Sequence, residues 1–181
     1  EDNLLVDLTD AASKLEGDFS VPVSLDWING RRTPYTNQNL KAVFSNLTLG
    51  SGAPEIFLSL IYAICFGSKK IIERFSEEGL KIKKVIGVGG IAKKSPFIMQ
   101  TMANVLDIPI SVCLSEQTPA LGAAISASVA SGIYKTIPEA IEVMGSDFEK
   151  VYQPEKNKVE KLKKMYLKYN KLSIVTENEL K

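Results

Sequence analysis

Lys83-Lys-Val-Ile-Gly-Val-Gly-Gly-Ile-Ala-Lys-Lys94, followed by Ser95-Pro96 and an apolar-periodic run, decides how this chain is read. Val85 to Val88 is a short, wholly apolar run, the pattern of a strand buried on both faces. The glycines after it let a backbone come close to a ligand. A helix opening at Pro96 would present free N–H groups to negative charge. Strand, side-chain-free turn and helix start together make a unit that handles nucleotides in more than one fold.

Taken literally, Gly87-Val-Gly89-Gly-Ile-Ala92 fits the G-x-G-x-x-A dinucleotide fingerprint, and Glu116 follows a second strand where an acid can hold a ribose. A Rossmann-type NAD-binding oxidoreductase domain is therefore a real alternative. Three features weigh against it. The turn runs on through Lys93-Lys94-Ser95 before a helix begins at Pro96. The motif sits mid-chain after a mainly helical lead. No further strand pattern follows residue 114, so the sheet would be small.

Composition narrows the chemistry. The 181 residues suit one domain, with 45% hydrophobic and 24% charged residues and a net charge of +1. A near-neutral chain offers no overall field for nucleic acid or an anionic membrane, and no apolar run reaches the roughly 20 residues that span a bilayer. Histidine is absent, which removes Ser-His-Asp triads, the commonest general base and most zinc sites. Cys65 and Cys113 lie in apolar segments and read as buried free thiols of a reducing cytoplasm. Glu1-Asp2-Asn3 lacks the basic start of a secretory signal, and with no initiator Met the chain is expected to be a mature piece or an excised domain.

Around the central stretch, residues 2–16 have helical spacing up to Gly17, and residues 20–28 read as extended before an Asn29-Gly30 turn. Arg31-Arg32 follows; adjacent guanidinium groups beside a turn suit a phosphate or carboxylate, or equally one structural ion pair. Ala53 to Phe75 reads as a long, largely buried helix opened by Pro54 and Glu55, with Tyr62 and Phe66 as core. Pro96 to Leu106 is a helix and Pro109 to Leu114 a strand, so Val85–Val88 and Pro109–Leu114 form a parallel pair. Pro119 to Ser131 is a helix of small residues, read as tightly packed core. Ile137 to Met144 is a short helix, and an amphipathic helix with a solvated basic face follows Pro154, fraying from Glu177 to Lys181.

Asp26-Trp-Ile-Asn-Gly-Arg-Arg-Thr-Pro34, Gly89-Gly-Ile-Ala-Lys-Lys-Ser-Pro-Phe-Ile-Met-Gln100 and Ala120-Leu-Gly-Ala-Ala-Ile125 resemble the C-terminal domain of FGGY carbohydrate kinases, over roughly residues 20 to 145. The Asp-Trp-x-Asn-Gly-Arg-Arg stretch resembles the family's ribulokinase branch in particular. The chain departs from the wider family at Asn46 and Tyr62, and its turn is one residue longer than in glycerol or xylulose kinases.

The resemblance implies an α/β fold, one of the two ribonuclease-H-like domains of an actin-like ATPase, mostly helical with a small mixed or parallel sheet. It implies that Gly89, Gly90, Ile91 and Ala92 contact the adenosine and proximal phosphate of ATP, with Ser95 a further candidate. It implies magnesium, an N-terminal domain carrying the catalytic base and most contacts to L-ribulose or a related ketopentose, and a cytoplasmic enzyme, with a homo-oligomer left open. Residues 1–181 are then a partial C-terminal domain, not active alone. No catalytic and no metal-ligating residue is assigned within it. A non-catalytic assembly domain is the third reading.

Overall fold

The structure, a computed structural model, describes residues 2–18 and 20–179. In chain order the elements are α1 (Asp2–Ser13), β1 (Val23–Ser24), β2 (Phe44–Ser45), α2 (Ala53–Glu77), β3 (Val85–Gly87), α3 (Gly90–Lys94), α4 (Pro96–Leu106), β4 (Ile110–Cys113), α5 (Thr118–Ala130), α6 (Ile137–Met144), β5 (Phe148–Tyr152) and α7 (Lys156–Glu179).

The long helix forms where the sequence says it should. Pro54 sits in its first turn and the Glu55 carboxylate accepts the Gly52 N–H at 3.0 Å, so an otherwise unpaired donor is satisfied. Leu58, Ile61, Tyr62, Ala63, Cys65 and Phe66 are buried on it. They meet Val23, Leu25, Trp27 and Leu40 of the β1–β2 region and Leu162, Met165, Tyr166 and Tyr169 of α7. Phe66 lies 5.4 and 5.5 Å, centroid to centroid, from the tilted rings of Tyr166 and Tyr169, an aromatic geometry that adds to area burial. Helix α7 is therefore a structural wall. Its last turn is held by Glu177, which pairs with Arg31, so the expected fraying does not begin at Glu177; Leu180 and Lys181 lie outside the described residues.

A second, smaller core carries the sheet. Strands β3 and β4 run parallel, with Val85 opposite Ile110 and Gly87 opposite Val112, as expected from strand, helix and strand. Ala92, Met99, Ala103, Leu106, Ile110, Val112 and Tyr152 form one cluster beneath them. The expectation that no strand follows residue 114 is wrong: β5 pairs antiparallel with β4, Ile110 opposite Tyr152, in the order β3-β4-β5. It is a short edge strand with Glu149 and Lys150 in its middle and only Tyr152 buried, so its pattern is too polar to stand out.

Three other expectations change. Strand β3 is not buried on both faces; it is the opposite edge, and Ile86 and Val88 are each 52% exposed. Helix α5 is not core: of its residues only Ile125 and Ser128 are buried. Lys93 and Lys94 are not an extended turn, because Gly90–Lys94 is already helical. The break between α3 and α4 falls at Ser95 (φ −126°, ψ 82°), which the following Pro96 keeps out of helical backbone. Both cysteines are free and buried, and burial pushes the Cys65 thiol well above its ordinary range.

The molecule exposes 11256 Å². A compact monomer of this size would expose about 8,600 Å². Leu4, Leu5 and Val6 of α1, Ile86, Val88 and Leu114 at the sheet, and Ile133, Ile141 and Val143 around α6 make up part of that surplus.

Candidate nucleotide-binding turn

The candidate crevice is the space beyond the ends of β3 and β4, onto which Gly89 and Gly90 open. Neighbouring parallel strands release their chains in the same direction, and the loops that follow leave open space beyond the carboxyl ends, where ligands of open α/β sheets bind. Here those loops are Val88–Gly89, running into α3, and Leu114–Gln117, running into α5.

Gly89 has φ +85° and ψ −176°, a region that essentially only glycine enters, and it is the residue from which α3 starts. A Cβ built on Gly89 or on Gly90 meets no atom within 4 Å. Both therefore face open space rather than packed protein, and the bare backbone is accessible to a flat ligand. Ile91 is 67% exposed. Ala92 turns inward: it is buried, and a Cβ on Gly87 would come within 3.3 Å of its own Cβ and 2.8 Å of the Met99 methyl. Gly87 is thus a packing glycine, whereas Gly89 and Gly90 are open ones.

Ser95 belongs to a different hollow. It lines a groove of about 540 Å³ with Leu5, Val6, Phe57, Lys94, Pro96 and Phe97, between α1 and the start of α4. Ala92 and Lys93 line a smaller hollow, about 200 Å³, against Val112, Glu149 and Tyr152. The candidate residues therefore surround α3 on different sides rather than converging on one cavity.

The paired arginines divide. The Arg31 guanidinium pairs with Glu177, lies 5.1 Å over the Trp27 ring and donates from Nε to the Tyr35 carbonyl at 2.9 Å. It is the structural ion pair of the two readings. Arg32 stays at the surface beside a shallow hollow with Asn29 and Ser68. Beneath Arg31, Asp26 accepts the Tyr169 hydroxyl at 2.9 Å, and burial raises its carboxyl above the ordinary range.

Lys93 and Glu149, to which the sequence reading gave no role, are also at the crevice, beside the Glu116 that it weighed as a ribose-holding acid. The Lys93 ammonium donates to the Leu114 carbonyl at 2.6 Å and lies 3.5 Å from Glu149 and 4.0 Å from Glu116. Two adjacent lysines at a helix end gave no signal of that reach. Among the described residues no group of three His, Cys, Asp or Glu side chains is placed to hold a metal ion, and no helix is long and apolar enough to cross a membrane.

Comparison with known proteins adds the following. Residues 2–131 match the model for the FGGY family of carbohydrate kinases, C-terminal domain. The chain is 46% identical over 151 residues to a ribulokinase of Vibrio parahaemolyticus, covering 83% of this chain and 27% of the relative. With a ribulokinase of Bacillus licheniformis it is 36% identical over 169 residues, covering 91% of this chain and 31% of the relative. The chain thus spans under a third of the length of these curated relatives. In structure it is similar to a xylulose kinase from Lactobacillus acidophilus (TM-score 0.83, 24% identity, 93% of this chain and 34% of that one). It is also similar to a Plasmodium falciparum glycerol kinase with ADP (TM-score 0.71, 20% identity, 92% and 33%). At those identities the structural likeness is one of fold.

Proposed function

Because the chain belongs to the FGGY family of carbohydrate kinases, as that family's C-terminal domain with its α/β, actin-like ATPase fold, we propose that it is the ATP-holding part of a ribulokinase. The complete enzyme would transfer the γ-phosphoryl of ATP to a hydroxyl of L-ribulose or a related ketopentose in the cytoplasm. An N-terminal domain would supply the catalytic base and most sugar contacts.

The observation that carries this reading is the open pair Gly89 and Gly90 at the carboxyl end of β3. A side chain at either would project into space that the protein leaves vacant, and that is the geometry a purine nucleoside needs to lie against backbone. The first N–H groups of α3 have no partner inside their own helix, so they favour a phosphate oxygen near the turn. Ile91 offers an exposed apolar face to the base or ribose, and Ala92 anchors the turn to the second core. Magnesium, when bound, neutralises charge on the transferring phosphates; its ligands here would be the phosphates themselves. In this division of labour the chain binds and orients the nucleotide and moves no proton.

Titration with Mg-ATP tests the proposal. The chain binds it, and Gly90→Val loses the binding while still folding cooperatively in a thermal melt, since a Cβ at this position meets no protein atom. Equal binding by wild type and Gly90→Val would remove the turn from the site. The direct run of Gly89 into α3 also suits a dinucleotide. An NADH titration that showed tight binding abolished by Glu116→Ala would replace the kinase reading with that one.

A further inference from the structure

Helix α3 is too short to hold itself in place. It has five residues, where an isolated helix needs about a dozen or more to be even marginal in water. Its inward contact is Ala92, and Ala92 and Lys93 share the lining of a hollow of about 200 Å³ with Glu149 and Tyr152, so this side of the helix is loosely packed. Its N-terminal side is Gly89, which contributes no side chain. Some other tie must fix the turn relative to the sheet.

Lys93 makes that tie. Its ammonium donates to the Leu114 carbonyl at 2.6 Å, across the crevice from the turn, with its side chain only 21% exposed. The Leu114 N–H is itself held by the Asp147 carbonyl at 2.8 Å, and the next N–H, of Ser115, by the Ser146 hydroxyl at 2.9 Å. Glu149 on β5 and Glu116 in the loop before α5 add opposite charge at 3.5 and 4.0 Å. One side chain therefore joins the loop after β3, the loop after β4 and the edge strand β5. Charge-assisted hydrogen bonds of this kind, to a residue whose own N–H is already held, are among the stronger single ties available.

We propose that Lys93 is a positioning residue, a latch that fixes the Gly89–Ala92 turn across the crevice and sets the width of the nucleotide site. The binding part of this inference rests on the nucleotide-binding reading above; the latch itself does not. Its charge is turned to Leu114 and the two glutamates, so it acts on a ligand through the turn and not by touching a phosphate.

Three variants test it: Lys93→Met removes the charge and keeps the length, Lys93→Arg keeps a donor, and Glu149→Gln weakens one arm. Amide hydrogen exchange reads the latch without any ligand. In Lys93→Met, exchange at residues 90–94 speeds up while the amides of α2 and α7 keep their protection, and Lys93→Arg restores most of it. Titrations with adenosine and with Mg-ATP then read the consequence: Lys93→Met weakens both by a similar factor, about tenfold, and Glu149→Gln by less. Unchanged exchange at residues 90–94 overturns the latch whatever the nucleotide does. Loss of Mg-ATP with adenosine unaffected would also overturn it, making Lys93 a phosphate contact. A wild-type chain that binds neither ligand, but whose exchange responds to Lys93→Met, would keep the latch and sink the nucleotide-binding reading.

Discussion

Gly89 and Gly90 are chemically the same residue doing different work. Gly89 holds a backbone conformation closed to other residues, whereas Gly90 has ordinary helical backbone and empty space around it. Gly89→Ala should therefore cost about 1–3 kcal/mol in urea unfolding. Gly90→Ala should be neutral or stabilising by up to about 1 kcal/mol, because it narrows the unfolded ensemble at a site that accepts a methyl group. Asp26 gives a pH-dependent prediction. Its carboxyl is raised above 3.8 in the folded chain, chiefly by burial. Between that value and its folded pKa the native state binds more protons than the unfolded one, so its contribution lowers stability as pH rises through this window. Asp26→Asn keeps an acceptor for Tyr169 and should flatten that fall, leaving a variant relatively more stable at pH 7 than at pH 3. Parallel urea curves for the two proteins across that range would refute it.

At the scale of elements, the sequence was readable where burial and breakers agreed. The long helix with Pro54 and Glu55 at its start, the helix from Pro96 to Leu106 and the apolar run around Val112 all formed near the expected bounds. The errors share a cause: a pattern of side chains says how an element could pack, not which neighbours it finds. Val85–Val88 is apolar enough for the middle of a sheet, yet β3 is an edge. The Ala-rich α5 looks like a core helix, yet most of its surface is free. Strand β5, with Glu149 and Lys150 in its middle, announces neither strand nor burial. At the proposed turn, the glycines were visible because glycine pairs are conspicuous, while the Lys93 tie spans three segments and leaves no local trace. The exposure of α5 is itself testable. Gly122 lies inside that helix with nothing near it, so Gly122→Ala should raise stability by about 0.5–1 kcal/mol, seen as a higher thermal midpoint. A lower midpoint would show that this face of α5 is packed.

The whole molecule has two cores of unequal weight. The larger, built on α2 and α7, includes neither Gly89–Ala92 nor β3, and the smaller one bears the turn. Stability and binding are to that extent separable: cavities cut under Phe66 or Leu162 would lower the melting temperature with less effect on the turn than changes at Met99 or Val112. The surplus exposed surface carries a further consequence. The steepness of urea unfolding and the heat-capacity change both scale with the area that unfolding newly uncovers. Surface already bare in the native state cannot be uncovered again. The surplus of about 2,600 Å² removes roughly an eighth of the area that a compact chain of this size would expose on unfolding. The denaturation slope should be shallower by a similar fraction, with the heat-capacity change reduced in step. Joined to whatever covers α1, the β3 edge and α6, the same residues should unfold over a narrower range of urea, a sharpening that would report cooperation between the two cores and their cover.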